Sequence, residues 1–284
     1  MLLRIAGMTI SVSSADPSLV PRAGDPAARF VIDNHHGPAD IELTIERAAV
    51  MPEPSGTPLF DSGAVWSMTD DGGRFRIDCS SAMLGDAPYK VAYFDRDFTA
   101  GRVLLRADVF DGAVDALEYP LDEVIVAHLL ARGRGVELHA CGIIDAGGRG
   151  RLFVGQSGAG KSTTGRLWMD AEDVEVVSDD RVIVRNVGGE WRMFGTPWHG
   201  EAALSSPASA PLDGIFLLQQ ATETKLVEVA PSEAAARLFA CTFPLFHDGR
   251  ALAFTLDVLD QLVAAVPVRV LEFTPDRSVV EAAK

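Results

Sequence analysis

The 284-residue sequence has few cysteines, few lysines and no long apolar segment. Nowhere do about 18 apolar residues run without charge, and Arg4 interrupts the short apolar start, so neither a membrane-spanning helix nor a signal peptide is predicted. Cys79, Cys141 and Cys241 are odd in number and widely spaced, which favours buried reduced thiols over a disulfide framework or a zinc site. These features predict a cytoplasmic protein.

Basic residues are also scarce relative to acidic ones. The chain has 25 Lys and Arg against 40 Asp and Glu, a formal charge of -15. Such a charge opposes non-specific binding to nucleic acid and to anionic membranes, so we expect neither as a partner. Hydrophobic residues make up 48% of the chain, enough for a core, and the length favours two domains.

The first part of the chain, residues 1–118, alternates short β-type runs with turns rich in proline, glycine and aspartate. This spacing predicts an antiparallel, β-rich domain. It carries no recognisable catalytic signature, so we expect a role in substrate recognition or regulation. The predicted strands include Arg29–Asp33, Ile41–Arg47, Ala64–Met68, Phe75–Cys79, Tyr89–Phe94 and Arg102–Phe110.

The pattern changes at Tyr119, where we place the start of a second domain, residues 119–284. Pro120 and the acidic residues after it open an apolar helical run. Val136–Asp145 and Arg151–Val154 then predict a β-hairpin. Its second strand leads into GQSGAGKS, residues 155–162, which matches the Walker A pattern GxxxxGK[ST] in full.

Each fixed position of this pattern has a physical task. The glycines let backbone N–H groups turn inward toward phosphate, Lys161 reaches the terminal phosphates, and Ser162 offers a hydroxyl to Mg²⁺. A helix predicted over Thr163–Met169 places its positive end at the loop. A chance glycine-rich turn is the alternative. The predicted nucleotide-binding residues are Gly155, Ser157, Gly158, Ala159, Gly160, Lys161, Ser162 and Thr163.

Two adjacent carboxylates follow the next β-type run, Val174–Val177. Asp179 and Asp180 stand where a second parallel strand would deliver acidic side chains beside a bound metal. One of them can hold Mg²⁺ while the other accepts a proton from an attacking hydroxyl. A polar turn that caps the strand is the alternative, and the order of the two roles stays open.

This part of the chain resembles the C-terminal catalytic domain of HPr kinase/phosphorylase and its relatives. The resemblance lies in Leu138-His139-Ala140, the hairpin, the glycine-rich loop and Ser178-Asp179-Asp180-Arg181. These relatives include kinases found with ribosomally made peptides and, more distantly, ATP-dependent phosphoenolpyruvate carboxykinases. The resemblance covers residues 120–181, extends to 195–201 and faintly to 266–268, and does not reach the first domain. It implies an α/β P-loop kinase domain after the β-rich domain.

The resemblance also implies roles for single residues. His139, Lys161 and Asp180 would be catalytic, with Asp180 as the general base. Ser162, Asp179 and Glu201 would be the Mg²⁺ ligands.

These observations together predict a kinase that uses ATP and Mg²⁺ to phosphorylate a serine or threonine hydroxyl of a protein or peptide. Two other functions stay open: a nucleotide-dependent peptide-binding module with little turnover, and a kinase of a small-molecule hydroxyl. The sequence also leaves open whether the protein forms a homo-oligomer.

Overall fold

The computed structural model describes residues 1–63 and 65–284, which form a mixed α/β, sheet-rich protein with few helices. It divides into two compact units, unit 1 (Met1–Leu129) and unit 2 (Leu130–Lys284). The boundary predicted from the sequence, at 118/119, lies ahead of the helix that ends unit 1. No helix in the described ranges has the length and apolar character needed to cross a membrane.

Unit 1 is built on an eight-stranded sheet in the order β1-β2-β4-β9-β8-β7-β6-β5, and β10 pairs separately with β3. Alternating side chains of its strands are buried, as on β4, where Ile41, Leu43 and Ile45 face the core. The strands are β1 Leu2–Ile5, β2 Met8–Ser14, β3 Leu19–Pro21, β4 Ile41–Ala48, β5 Thr57–Asp61, β6 Trp66–Asp71, β7 Arg74–Cys79, β8 Lys90–Phe94, β9 Ala100–Arg106 and β10 Gly112–Val114, followed by helix α1 Leu121–Leu130.

Two predictions for this region are wrong. Strand β4 pairs in parallel with β2 and with β9, so the sheet is mixed rather than antiparallel, because long crossovers rather than hairpins lead into and out of β4. Arg29–Asp33 is not a strand: Ala27–Phe30 forms a 3₁₀ helix, and of residues 29–33 only Phe30 is buried, so the segment lacks the alternating burial of a strand. Ala64, the first residue of another predicted strand, lies outside the described residues.

Unit 2 carries a second eight-stranded sheet with helices on it. The predicted hairpin is confirmed, since β11 and β12 pair antiparallel. Its elements are β11 Val136–Ile144, β12 Gly150–Val154, α2 Lys161–Ala171, β13 Glu175–Ser178, β14 Arg181–Val187, β15 Glu190–Phe194, β16 Ser209–Gln220, β17 Lys225–Glu228, α3 Pro231–Phe239, α4 Gly249–Ala265, β18 Val268–Phe273 and α5 Ser278–Ala282.

Strand β11 changes partners halfway along its length. Residues 136–139 pair with β14, whereas residues 140–144 pair with β12 on one side and, at 142–144, with β13 on the other. Strand β16 pairs with both β15 and β12, so β11, β14, β15, β16 and β12 close into a ring. The ends of β12 and β13 and the start of β14 therefore meet near the middle of β11, where His139 lies.

Candidate functional site

The glycine-rich loop after β12 needs glycine for steric reasons. Gly158 and Gly160 have positive φ angles of 79° and 106°, which side chains with a Cβ rarely adopt. A Cβ on Gly160 would also lie 2.6 Å from Cζ of Phe273, and one on Gly155 would lie 2.6 Å from the Cβ of Ala159. A side chain would therefore clash at Gly155 and Gly160, and it would strain the backbone at Gly158 and Gly160.

Helix α2 begins directly at the loop. Gly160 is its N-cap and supplies no side-chain hydrogen bond, so the first N–H groups of the helix depend on other partners. Gly165 lets the helix approach β11 closely, because a Cβ there would lie 3.0 Å from Sγ of Cys141. On the other side, Nε2 of Gln220 donates a hydrogen bond of 2.9 Å to the carbonyl oxygen of Gly158.

Lys161 folds back over the loop. Its Nζ donates to the carbonyl oxygens of Gly155 (2.9 Å) and Gln156 (3.0 Å), and the residue is 6% exposed. Burial lowers the pKa of Lys161, and the negative charge of Asp180 opposes that shift. Among the described residues no carboxylate forms an ion pair with this lysine. Its direct hydrogen-bond partners are therefore the two carbonyl oxygens.

Asp179 joins the loop to the segment after residue 199. Its buried carboxylate accepts hydrogen bonds from the backbone N–H groups of Gly200 (2.9 Å), Ala202 (3.0 Å) and Leu204 (3.3 Å). A fourth comes from the hydroxyl of Ser162 at 3.0 Å. Both carboxylate oxygens are therefore occupied within the protein.

Asp180 has an incomplete set of partners. Nε2 of His139 lies 3.0 Å from one carboxylate oxygen, and Nε of Arg181 lies 3.5 Å from the other. The hydrogen bond from His139 lowers the pKa of Asp180, and the charges of His139, Arg181 and Lys161 act in the same direction against burial. The side chain is 29% exposed, so an ionised carboxylate faces solvent beside the loop.

The other predicted site residues lie at the rim of the site. Ser157 and Thr163 are exposed, on the loop and on the first turn of α2. Glu201 is exposed, and its side chain makes no hydrogen bond or ion pair with the described residues. Its backbone is nevertheless fixed, because the N–H groups on both sides of it, those of Gly200 and Ala202, bind Asp179.

A cavity of about 450 Å³ opens beside the loop. Strands β12 and β16 form one wall, and the end of α3 forms another. Its lining residues are Val154, Gly155, Gln156, Ser157, Gly158, Ala159, Leu217, Leu218, Gln220, Arg237, Ala240 and Cys241.

Three residues at this site belong to no motif that is recognisable in the sequence. Gln220, at the end of β16, supports the loop, and Cys241 lines the cavity. Phe243 lies over the guanidinium of Arg181, with Cζ 4.3 Å from the ring centroid. All three come from segments far along the chain from the loop: β16 carries Gln220, and backbone contacts of residues 241 and 242 with β11 bring Cys241 and Phe243 near it. No local motif could have found them.

The structure thus brings His139, Lys161, Ser162, Asp179 and Asp180 together and keeps the backbone of Glu201 next to Asp179. Among the described residues no three or more His, Cys, Asp and Glu side chains gather as a metal cluster. Comparison of the chain with known protein families finds no matching family, and comparison with curated proteins finds no match either.

Proposed function

We propose that this protein is an ATP-dependent kinase, similar to HPr kinase, that transfers the γ-phosphate to a serine or threonine hydroxyl of a protein or peptide. One observation carries the proposal: the 3.0 Å hydrogen bond from Ser162 to Asp179. It ties the end of the glycine-rich loop to the tandem carboxylates, so the groups that bind phosphate and the groups that handle metal and proton share one corner of the fold.

The loop fits the phosphates of ATP. The open N-terminus of α2 offers N–H groups and a partial positive charge to an anion. Lys161 can exchange two neutral carbonyl partners for phosphate oxygens, and no ion pair has to break. The adjacent cavity provides space for the rest of the nucleotide.

The residues also fit Mg²⁺. Ser162 uses its proton toward Asp179, which leaves the oxygen lone pairs of the hydroxyl free for a cation. Because Asp179 already accepts four hydrogen bonds, we assign it to hold the cation through water, as Mg²⁺ often retains several waters. Glu201 is a candidate for a second carboxylate contact. A bound Mg²⁺ would neutralise part of the negative charge on the transferred phosphate.

Asp180 is the base in this proposal. Its carboxylate is ionised near neutral pH and open to solvent, so it can accept the proton of the acceptor hydroxyl as the oxygen attacks the γ-phosphorus. The bond between the γ-phosphorus and the β,γ-bridging oxygen breaks, ADP leaves, and the proton remains on Asp180 until solvent removes it. His139 orients the carboxylate through its Nε2 contact.

We assign the binding and chemical steps to residues 119–284 and substrate recognition or regulation to residues 1–118. The activity fits the cytoplasm, where ATP is available and where the buried thiols of Cys79, Cys141 and Cys241 stay reduced. The alternative is a peptide-binding module that binds ATP with little turnover. Asp180 separates the two, because a protein that only binds has no need of a second carboxylate at the end of this strand.

The test is a transfer assay with ATP labelled at the γ-phosphate and serine- or threonine-containing peptides. We expect wild type to label peptide, and Lys161→Ala to lose ATP binding and labelling while it stays folded. Lys225→Ala is the matched control, since Lys225 is an exposed lysine paired with Glu272 on the same unit. Unchanged ATP affinity in a folded Lys161→Ala variant would reject the site, and ATP binding by wild type without transfer would favour the binding module.

A further inference from the structure

Two exposed phenylalanines lie on the segment between α3 and α4. Phe243 is 38% exposed and Phe246 is 72% exposed, and the latter exceeds every other exposed large apolar side chain in the described part of unit 2. The two side chains stand three positions apart on this segment, and exposed aromatic side chains are enriched at binding sites. We call Phe243 and Phe246 the aromatic pair.

The segment that bears the aromatic pair is attached to the strand of the proposed catalytic histidine. The N–H of His139 donates to the carbonyl oxygen of Cys241 at 2.7 Å, and Thr242 forms an antiparallel bridge with Leu138. Because these contacts are backbone contacts, they fix the position of residue 243 relative to β11. Phe243 is therefore held beside β11, and Phe246 follows it three positions later on the same segment.

Phe243 also contacts the side chains around the proposed base. Its ring centroid lies 6.3 Å from that of His139, and Cζ of Arg181 lies 4.3 Å from it. The charge of Arg181 is already matched by Glu137 at 3.3 Å and by Asp180 at 3.5 Å. The surface beside the base thus presents aromatic rings rather than a free positive charge.

We propose that the aromatic pair binds an apolar side chain of the acceptor peptide, close in sequence to the serine or threonine that is phosphorylated. This inference rests on the proposed kinase function. Neither phenylalanine lines the cavity beside the glycine-rich loop, so the nucleotide and the aromatic pair do not compete for the same space. The acceptor, by contrast, must bring its hydroxyl to Asp180.

Geometry limits where the apolar residue can stand. Asp180 contacts His139, and the ring of Phe243 lies next to His139, so the base and the ring are on the order of 10 Å apart at most. An extended chain covers about 3.3–3.6 Å per residue. The apolar side chain therefore belongs within about three residues of the phosphorylated residue.

The test uses a peptide library with one fixed serine and degenerate neighbours, labelled from γ-labelled ATP. We expect wild type to select Leu, Ile, Met or Phe within three residues of the serine by about tenfold, the value of one buried apolar side chain. Phe246→Ala and Phe243→Ala should each weaken that selection severalfold through KM, and Phe243→Leu should restore most of it. Leu256→Ala is the control, because it truncates another exposed apolar side chain, on α4, and it should keep the wild-type selection for apolar residues.

The outcomes separate the two proposals. Transfer by wild type without any apolar preference overturns the aromatic pair as a binding site and leaves the kinase in place. An apolar preference that survives in both alanine variants also overturns it. Absence of transfer to every library member, with ATP bound, rejects the kinase and this inference together.

Discussion

Two buried lysines, one in each unit, show the difference between a structural charge and a charge available for chemistry. Lys90 of unit 1 is fully buried, and its Nζ contacts the carboxylate of Glu118 at 3.1 Å and the carbonyl oxygens of Ala116 and Glu118. Lys161 of unit 2 contacts two carbonyl oxygens only. A lysine without a carboxylate partner can accept a phosphate without losing an ion pair, whereas Lys90 has no such freedom.

The same contrast separates two aspartates. Both carboxylate oxygens of Asp78 in unit 1 accept hydrogen bonds from the guanidinium of Arg76, at distances of 2.6 to 3.1 Å. Arg76 also donates to the carbonyl oxygens of Pro52 and Glu53. Arg76 is 1% exposed, so this set is closed. Asp180 has one short contact, with His139, and remains open to solvent. Removing one partner from a fully paired buried set leaves the other charge buried and unpaired, which is costly to the fold, whereas a partly paired carboxylate open to solvent is a candidate for function.

The largest expected effect is on Asp180. Asp180→Asn keeps the size of the side chain but removes the proton acceptor, so peptide phosphorylation should fall by about 10²–10⁴-fold while Mg-ATP still binds. Turnover and ATP affinity measured on the same preparation check this, with Asp257→Asn, an exposed aspartate of α4, as control. Wild-type turnover in Asp180→Asn would remove the base assignment and, with it, the contrast to Asp78.

The opposite result is expected for the closed set of unit 1. Arg76→Met leaves Asp78 buried without its partner and should lower the free energy of unfolding by about 4 kcal/mol, with no effect on ATP affinity of the folded protein. Arg74→Met is the control, because Arg74 lies on the same strand but is 55% exposed. Denaturant unfolding measures both. Equal effects of the two variants would show that burial of the pair is not what stabilises β7.

Much of unit 2 follows from local sequence, whereas much of unit 1 does not. The hairpin, the loop and the start of α2 are encoded by neighbouring residues, since glycine at 158 and 160 and the flanking apolar runs leave few other conformations. The parallel pairing of β4 depends on crossovers whose path no local pattern specifies. Phe243 reaches His139 because residues 241 and 242, far along the chain, make backbone contacts with β11. The sequence therefore predicted the glycine-rich loop and the tandem aspartates beside it, and it missed Phe243.

Asp179 shares features with both Asp78 and Asp180. Like Asp78 it is buried and fully hydrogen-bonded, and like Asp180 it belongs to the proposed site. In Asp179→Asn one oxygen becomes an NH₂ group that faces N–H donors of the segment 200–204, so we expect a loss of about 3 kcal/mol in stability. The Mg²⁺ concentration needed for activity should rise as well. Denaturant unfolding and a magnesium titration test both, with the exposed Asp173→Asn as control. A stable variant with a normal Mg²⁺ requirement would contradict the assignment.

The smallest effect concerns Asp145, a closed carboxylate in unit 2. Burial alone would raise its pKa, but hydrogen bonds from Arg151 and from the N–H of Arg149, with the charges of both arginines, lower the pKa to about 2 from an ordinary 3.8. A depressed pKa in the folded state means stability that is present above pH 3.8 and lost as pH falls toward 2. The amount is about 2 kcal/mol. The free energies of unfolding of wild type and Asp145→Asn, measured by denaturant between pH 6 and pH 2, should differ by about 2 kcal/mol at pH 6 and converge at low pH. A constant separation across this range would mean that Asp145 stabilises unit 2 by packing rather than by its charge.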